Sequence, residues 1–240
     1  MTIGVFDGIH IGHQRLLAEV VHNNLGAQPV VCSFLRNPGE VLGTRPSAGS
    51  ILSDRQKIGK FERLGVAQLV LIDFSPEIGK LSAEDFLAVF ERSFELRKLV
   101  VGYNFRLGRD RSAGIQELVS RYSPSETELT VIPAAHYRDQ AVSSSRIREA
   151  IREGRFEDTR RMLNEPYCLD LEGQVLQREG GWTVLARSRI AQVLPREGTY
   201  RAAVRSPLGE KPVEVRIEDQ RLAWKSDPGF HETEICFIGG

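Results

Sequence analysis

From its first residues to Leu163 the chain alternates short apolar runs with amphipathic stretches, and after Pro166 that alternation stops. The apolar runs fall at 2–5, 29–34, 68–73, 98–101 and 128–132. They are rich in Val, Ile and Leu and lack period-two polarity, as strands covered on both faces do. Helical patterns lie between them. One runs over 14–22, and another opens on the capping box Ser53-Asp54-Arg55-Gln56 and runs toward Leu64. Ser82-Ala83-Glu84-Asp85 repeats that signal ahead of an apolar face of Phe86, Leu87, Val89 and Phe90. A shorter helix is expected over 115–122, and two more over 145–153 and 156–164 with no strand between them. Strands and helices in alternation imply parallel pairing through crossovers, hence an α/β fold with a doubly wound parallel sheet.

Beyond Pro166 short apolar or alternating segments at 169–176, 182–186, 199–205, 212–217, 221–224 and 235–238 are separated by turn signals. These include Glu179-Gly180-Gly181, Ser206-Pro207-Leu208-Gly209 and Asp227-Pro228-Gly229. That pattern predicts a small antiparallel β-sandwich or barrel. Two domains follow, 1–165 and 166–240.

Composition narrows the function classes. Lys plus Arg equals Asp plus Glu at 32 each, so no global charge drives the chain toward nucleic acid or an anionic membrane. No apolar run reaches the roughly 18 residues of a membrane helix. No basic segment precedes an apolar stretch at the N-terminus, so no signal peptide is read. Cys32, Cys168 and Cys236 are far apart and form no C-x-x-C, which argues against a disulfide framework or a cysteine zinc site and makes a reducing cytoplasm the default.

The chemistry concentrates in the first loop, Gly4-Val5-Phe6-Asp7-Gly8-Ile9-His10-Ile11-Gly12-His13, which runs from a buried strand into a helix. In an open α/β sheet that is the carboxyl end of a strand, where ligands bind. Asp7-Gly8 suits a tight turn and Gly12 a close backbone approach. A helix starting after His13 would aim free N–H groups and its positive dipole end at an anion. His10 and His13 stand three apart at its mouth, and imidazole N–H groups can bind phosphate oxygens and stabilise developing charge. A histidine at a helix start is more often a cap or a surface residue, and H-x-x-H can be half a zinc site. The strand–loop–helix context favours the phosphate site, and no third metal ligand is close in sequence. Later, Ser143, Ser144 and Ser145 precede another helical pattern, so one of them caps it, leaving hydroxyls with Arg146 and Arg148 at a second helix start. The loop 102–114, with Arg106, Arg109 and Arg111 among three glycines, is either a phosphate-closing loop or a solvated connector.

The segment G-x-F-D-G-x-H-x-G-H, followed by Gln14-Arg15-Leu16-Leu17, resembles the start of bacterial FAD synthetases, the bifunctional riboflavin kinase/FMN adenylyltransferases of the H-x-G-H nucleotidyltransferase superfamily. Ser33-Phe34-Leu35-Arg36-Asn37-Pro38 resembles that family's T-F-x-P-x-P loop, with Arg36 at its first proline. Residues 101–108 resemble V-G-x-D-F-x-F-G with Asn104 at the aspartate, and 142–148 resemble V-S-S-[ST]-x-I-R. The resemblance implies a Rossmann-like nucleotidyltransferase domain that moves AMP from ATP to FMN, giving FAD and pyrophosphate, with Mg2+ accompanying ATP. It implies catalytic roles for His10, His13, Ser144 and Arg148. It implies substrate contacts from Phe6, Asp7, Gly8, Gly12, Phe34, Asn104, Ser143 and Ser145, and no protein-held metal.

By the same resemblance residues 166–240 correspond to the riboflavin kinase barrel. Gly173-Gln174-Val175 and Pro195-Arg196-Glu197-Gly198-Thr199-Tyr200 fit its G-x-V strand and P-x-x-G-x-Y turn. Between them the family carries P-T-A-N, whose Thr and Asn hold the magnesium-nucleotide; this chain has 181–189 without it, and lacks the later N-x-G-x-x-P-T and the closing helix. A kinase needs such ligands, so a degenerate barrel without riboflavin kinase activity is expected. Two other readings stand beside this one: an H-x-G-H transferase with another phosphorylated acceptor, and a non-catalytic flavin- or nucleotide-binding protein. The sequence leaves the oligomeric state open.

Overall fold

The computed structural model describes residues 1–44, 48–122, 126–227 and 229–239. The chain divides into two compact units, Met1–Ser47 with Ile58–His136, and Ala48–Lys57 with Tyr137–Gly240.

In the first unit β1 (Thr2–Ile3), β2 (Val30–Phe34), β3 (Gln68–Ile72), β4 (Lys98–Gly102) and β5 (Glu128–Ile132) form one parallel sheet in the order β3-β2-β1-β4-β5. This is the expected doubly wound α/β sheet. Its connections carry α1 (Ile11–His22), α2 (Pro38–Val41), α3 (Asp54–Arg63), α4 (Pro76–Gly79), α5 (Ala83–Ser93) and α6 (Ile115–Arg121). The first residues of α3 belong to the second unit. Strand order reverses between β1 and β4, so the loops after these two strands flank the crevice where such sheets bind ligands.

The sheet is held from one side by α5. Its Ser82 hydroxyl accepts from the Asp85 N–H, and Phe86, Leu87 and Phe90 bury against Val30, Cys32, Leu99 and Val101. Each such side chain contributes about 1.5–3 kcal/mol on burial. Val89, expected on that apolar face, instead points to solvent. The box at Ser53 is reciprocal: Ser53 N–H donates to Gln56 Oε1, and Gln56 N–H to Ser53 Oγ, each at 3.1 Å. The one-turn helices α2 and α4 escape a periodicity reading because four residues carry no period. Their start signals, Asn37-Pro38 and Ser75-Pro76, are a cap followed by proline at the first helical position.

A short hairpin, β6 (His136–Tyr137) and β7 (Gln140–Ala141), stands at the start of the longer segment of the second unit. That unit contains α7 (Ser144–Arg152), α8 (Phe156–Leu163), β8 (Cys168–Asp170), β9 (Gln177–Glu179), β10 (Trp182–Ala186), β11 (Gly198–Ser206), β12 (Gly209–Ile217), β13 (Arg221–Lys225) and β14 (Glu234–Phe237). The seven strands from β8 onward make an antiparallel half-barrel in the order β8-β14-β11-β12-β13-β10-β9. The turn signal Asp227-Pro228-Gly229 lies partly outside the described residues.

Contacts divide the chain earlier than residue 165, because α7 and α8 pack with the half-barrel. Phe156 of α8 stacks on Phe237 at 4.5 Å and meets Tyr200 edge-on at 5.6 Å. Gly154, at φ +69°, lies so close to Tyr200 that a Cβ there would be 2.9 Å from its ring. The cysteine expectation is corrected as well. Cys168 and Cys236 are directly opposed in the β8–β14 register, with Cα atoms 4.0 Å apart, and are joined by a disulfide. Antiparallel register brings together residues 68 positions apart, which spacing along the chain does not reveal. Cys32 is free and buried in the first unit.

Candidate active site

The loop leaving β1 is wound unusually tightly. The Ile9 N–H bonds to the Phe6 carbonyl at 3.4 Å, closing a turn with Asp7 and Gly8 at its centre. Gly8 takes φ +86°, which glycine adopts freely. Phe6 at φ +52° and Ile9 at φ +42° do not have that freedom, and such conformations cost about 1–3 kcal/mol each. The surroundings enforce them. Phe6 is buried edge-on against Phe61 of α3 at 5.6 Å, Ile9 is fully buried, and the Gln14 amide donates to the Ile9 carbonyl at 2.9 Å.

Helix α1 starts at Ile11, three residues before the expected start, because His10 itself is the N-cap. Its Nδ1 accepts from the N–H groups of Gly12 at 3.2 Å and His13 at 3.4 Å. The helix-end N–H groups expected to face a ligand are therefore bound in part by this imidazole. The consequence for the ring is specific. A neutral imidazole accepting at Nδ1 carries its proton at Nε2, so Nε2–H is the donor left to the site. His10 is only 7% exposed, and burial followed by the nearby Lys60 cation lowers its pKa to about 4. At neutral pH it is an uncharged hydrogen-bond donor.

His13, in the first turn of α1, stacks on His10 with ring centroids 3.7 Å apart and planes 17° from parallel. Phe6 meets His13 edge-on at 5.1 Å. Gly12 makes the stack feasible: a Cβ there would approach the His10 ring at 3.2 Å. The loop residues singled out in the sequence thus converge. Phe6, Gly8 and Gly12 shape the turn and the approach, and the two imidazoles share one place beside the switch point. Asp7, in the same turn, is half-buried.

The other expected residues divide. Asn104 is exposed in the turn after β4, the second loop that flanks the crevice. Phe34 ends β2 as a core residue, 8% exposed and edge-on to Phe74 at 5.8 Å. The arginine loop leads into an exposed 3-10 turn at Arg109–Arg111. Ser143, Ser144, Ser145 and Arg148 belong to the second unit. There Ser143 is the N-cap of α7, its hydroxyl accepting from Arg146 N–H at 3.3 Å, while Ser144 is half-buried and Ser145 exposed. Arg148 is buried and donates through Nε to the Gly49 carbonyl at 2.9 Å.

One residue of this site was missed. Lys60 of α3 is 5% exposed and donates to the Gly8 carbonyl at 3.4 Å. A lysine in an amphipathic helix reads as a solvated position, and only the tertiary fold turns it inward.

Where the family's P-T-A-N would fall, this chain forms β10 and a 3-10 turn at Arg187–Arg189. Thr183 is fully buried, and its hydroxyl bonds with Arg178 at 3.0 Å and Ser226 at 2.7 Å. Arg178 also binds the Glu232 carboxylate at 3.0 Å. Among the described residues, the one cluster with metal-ligand spacing is Cys168, Glu234 and Cys236. Two of its members form the disulfide, which leaves a single carboxylate and does not fit magnesium, a cation of oxygen ligands.

Comparison with known proteins agrees with this frame. A family model described as FAD synthetase matches residues 1–146. An FAD synthetase of Listeria monocytogenes is 26% identical over 233 residues, 95% of this chain and 92% of that protein. A bifunctional riboflavin kinase/FMN adenylyltransferase of the same organism is 26% identical over 207 residues, 83% of this chain and 66% of that protein. For the Bacillus subtilis bifunctional protein the match covers 70% of this chain and 54% of the relative, at 26% identity. The chain thus spans between half and two thirds of these two bifunctional relatives. A crystal structure titled as a macrolide-efflux protein from Streptococcus pneumoniae superposes with a TM-score of 0.83 at 22% identity, over 99% of this chain and 83% of that one, a likeness of fold. With a match over residues 1–146 that includes the whole β1–α1 loop, the chain belongs to the FAD synthetase family.

Proposed function

We propose that this protein transfers AMP from ATP to the phosphate of FMN, releasing pyrophosphate and forming FAD. The observation that carries the reading is the His10–His13 stack in the loop beside the switch point of a parallel sheet, within the segment that matches the family model. An oxygen of the FMN phosphate attacks the α-phosphorus of ATP, the bond to the bridging oxygen breaks, and pyrophosphate leaves. Negative charge builds on the α-phosphate oxygens as phosphorus becomes five-coordinate. The His10 Nε2–H, already oriented by the cap at Nδ1, and the His13 imidazole stacked on it donate to those oxygens without a change in their own charge. Donors of this kind typically contribute about 10²–10³ in kcat. No side chain needs to form a covalent bond, so positioning and charge stabilisation account for the rate. Magnesium would arrive with ATP and neutralise the departing pyrophosphate.

By resemblance, Ser144 and Arg148 take the β- and γ-phosphates, with Ser143 and Ser145 beside them, and Asn104 and the turn at Phe6–Gly8 contact substrate. The same resemblance gives a substrate contact to Phe34, which ends β2 with 8% of its surface exposed. The half-barrel is not a riboflavin kinase in this reading, since the residues at the position of P-T-A-N form a strand whose threonine hydroxyl is engaged internally. No helix among the described residues is long and apolar enough to cross a membrane, and the ATP and FMN substrates favour a cytoplasmic site of action.

The test is incubation with ATP, Mg2+ and either FMN or riboflavin, followed by chromatographic separation of the flavins. FAD from FMN and no FMN from riboflavin are expected. No FAD with ATP binding intact would remove the reading, and FMN made from riboflavin at a comparable rate would restore the kinase.

A further inference from the structure

Helix α3 grips the β1–α1 loop with two consecutive residues. Phe61 presses edge-on against Phe6, and Lys60 donates from its ammonium to the Gly8 carbonyl at 3.4 Å. Between the two contacts lies the most strained backbone of the site, with φ +52° at Phe6, +86° at Gly8 and +42° at Ile9. An ammonium loses its hydration on burial, so a lysine keeps its place inside a fold only against acceptors that hold it. Lys60 is 5% exposed. What a cationic donor supplies, and an apolar side chain cannot, is a hold on a carbonyl in the middle of a strained turn. It also places positive charge next to the phosphate-handling imidazoles; the same cation contributes to keeping His10 neutral.

We propose that Lys60 is a positioning residue for adenylyl transfer: by holding the Gly8 carbonyl it fixes the Phe6–Ile9 turn, and so keeps His10 and His13 stacked where the α-phosphate reacts. The proposal rests on the function given above. Lys60 acts through the loop, so its loss displaces the donors more than it weakens ground-state binding. Misplacement of reacting groups by about 1 Å costs on the order of 10² in rate.

Lys60→Met removes the donor and the charge but keeps the stem. Its kcat for FAD formation should fall about 10²-fold, with the KM for ATP changing less than about threefold and a normal melting curve. Lys60→Arg, which keeps a cationic donor, should recover at least about a tenth of the wild-type rate. If Lys60→Met fails to fold, Lys60→Leu, which also lacks a donor, carries the same test. Imidazole 1H–15N spectra of wild type and variant, read without any turnover, should show the His10 Nδ1 signal displaced in the variant. Unchanged kcat and unchanged His10 signals, a rise in KM with kcat intact, or an arginine no better than the methionine would overturn the proposal. A wild-type protein that makes no FAD would instead remove the underlying function, and the spectra would still decide whether Lys60 positions His10.

Discussion

Helices α1 and α7 begin in opposite ways. At α7 a serine hydroxyl accepts one first-turn N–H at 3.3 Å, and Ser143 has ordinary extended backbone. At α1 a histidine, a poor N-cap by preference, accepts two, and the turn before it contains two strained non-glycine residues. The serine cap satisfies its helix end with a preferred residue on unstrained backbone. The histidine cap satisfies its own helix end through two N–H groups, and it also fixes the tautomer of a buried ring and aims the remaining N–H. When a helix start departs from the preferred residue and carries strain as well, the departure points to chemistry.

The comparison breaks most sharply by exchanging the cap chemistry. His10→Asn keeps a strong N-cap while removing the imidazole, so the melting temperature should hold within a few degrees while kcat falls about 10²–10³-fold. A His10→Asn enzyme with near-normal kcat would reduce His10 to a cap. His13 is the complementary case, since it lies inside the first turn of α1 and not at its cap: His13→Ala should lose about 10² in kcat with little change in melting.

Stability against pH separates the two helix starts next. The folded-state pKa of His10 is about 4, below the roughly 6.5 of an exposed histidine. As pH falls through 6.5 the unfolded chain gains a proton that the folded chain does not, so stability declines until about pH 4, by up to about 3 kcal/mol. Urea melts of wild type and His10→Asn over this range should show that decline in the wild type and a shallower one in the variant. Parallel curves would mean that His10 is not buried as a neutral ring.

Gly12→Ala sharpens the stack itself. Alanine favours a helix over glycine by about 1 kcal/mol, so melting should not fall. The new methyl meets the His10 ring at 3.2 Å, and a ring moved by a few tenths of an ångström should cost about tenfold in kcat. The smallest effect belongs to the ordinary cap, where Ser143→Ala should lower stability by about 1 kcal/mol, read from chemical denaturation.

Much of this was legible in the chain because the signals are local. Five apolar runs placed five parallel strands within one or two residues, the capping box at Ser53 formed as written, and Ser82 caps its helix through its hydroxyl alone. The H-x-G-H loop could be assigned to a strand–helix junction for the same reason. What could not be read depends on tertiary packing. The inward turn of Lys60, the core position of Phe34 and the Cys168–Cys236 disulfide each pair residues distant in sequence. The attachment of α7 and α8 to the half-barrel follows from rings on Phe156, Tyr200 and Phe237 that no periodicity connects. A histidine cap at this helix start was legible as the alternative to a phosphate site, and His10 is that cap.

The most direct test of the account follows the phosphorus. ATP labelled at the α-phosphate, mixed with FMN and excess enzyme in a single turnover, should transfer its label to FAD as unlabelled pyrophosphate appears in equal amount. His13→Ala should bind the same ATP and transfer the label about 10²-fold more slowly. Label that never enters FAD, or a His13→Ala enzyme that transfers it at the wild-type rate, would contradict the assignment of adenylyl transfer to this loop.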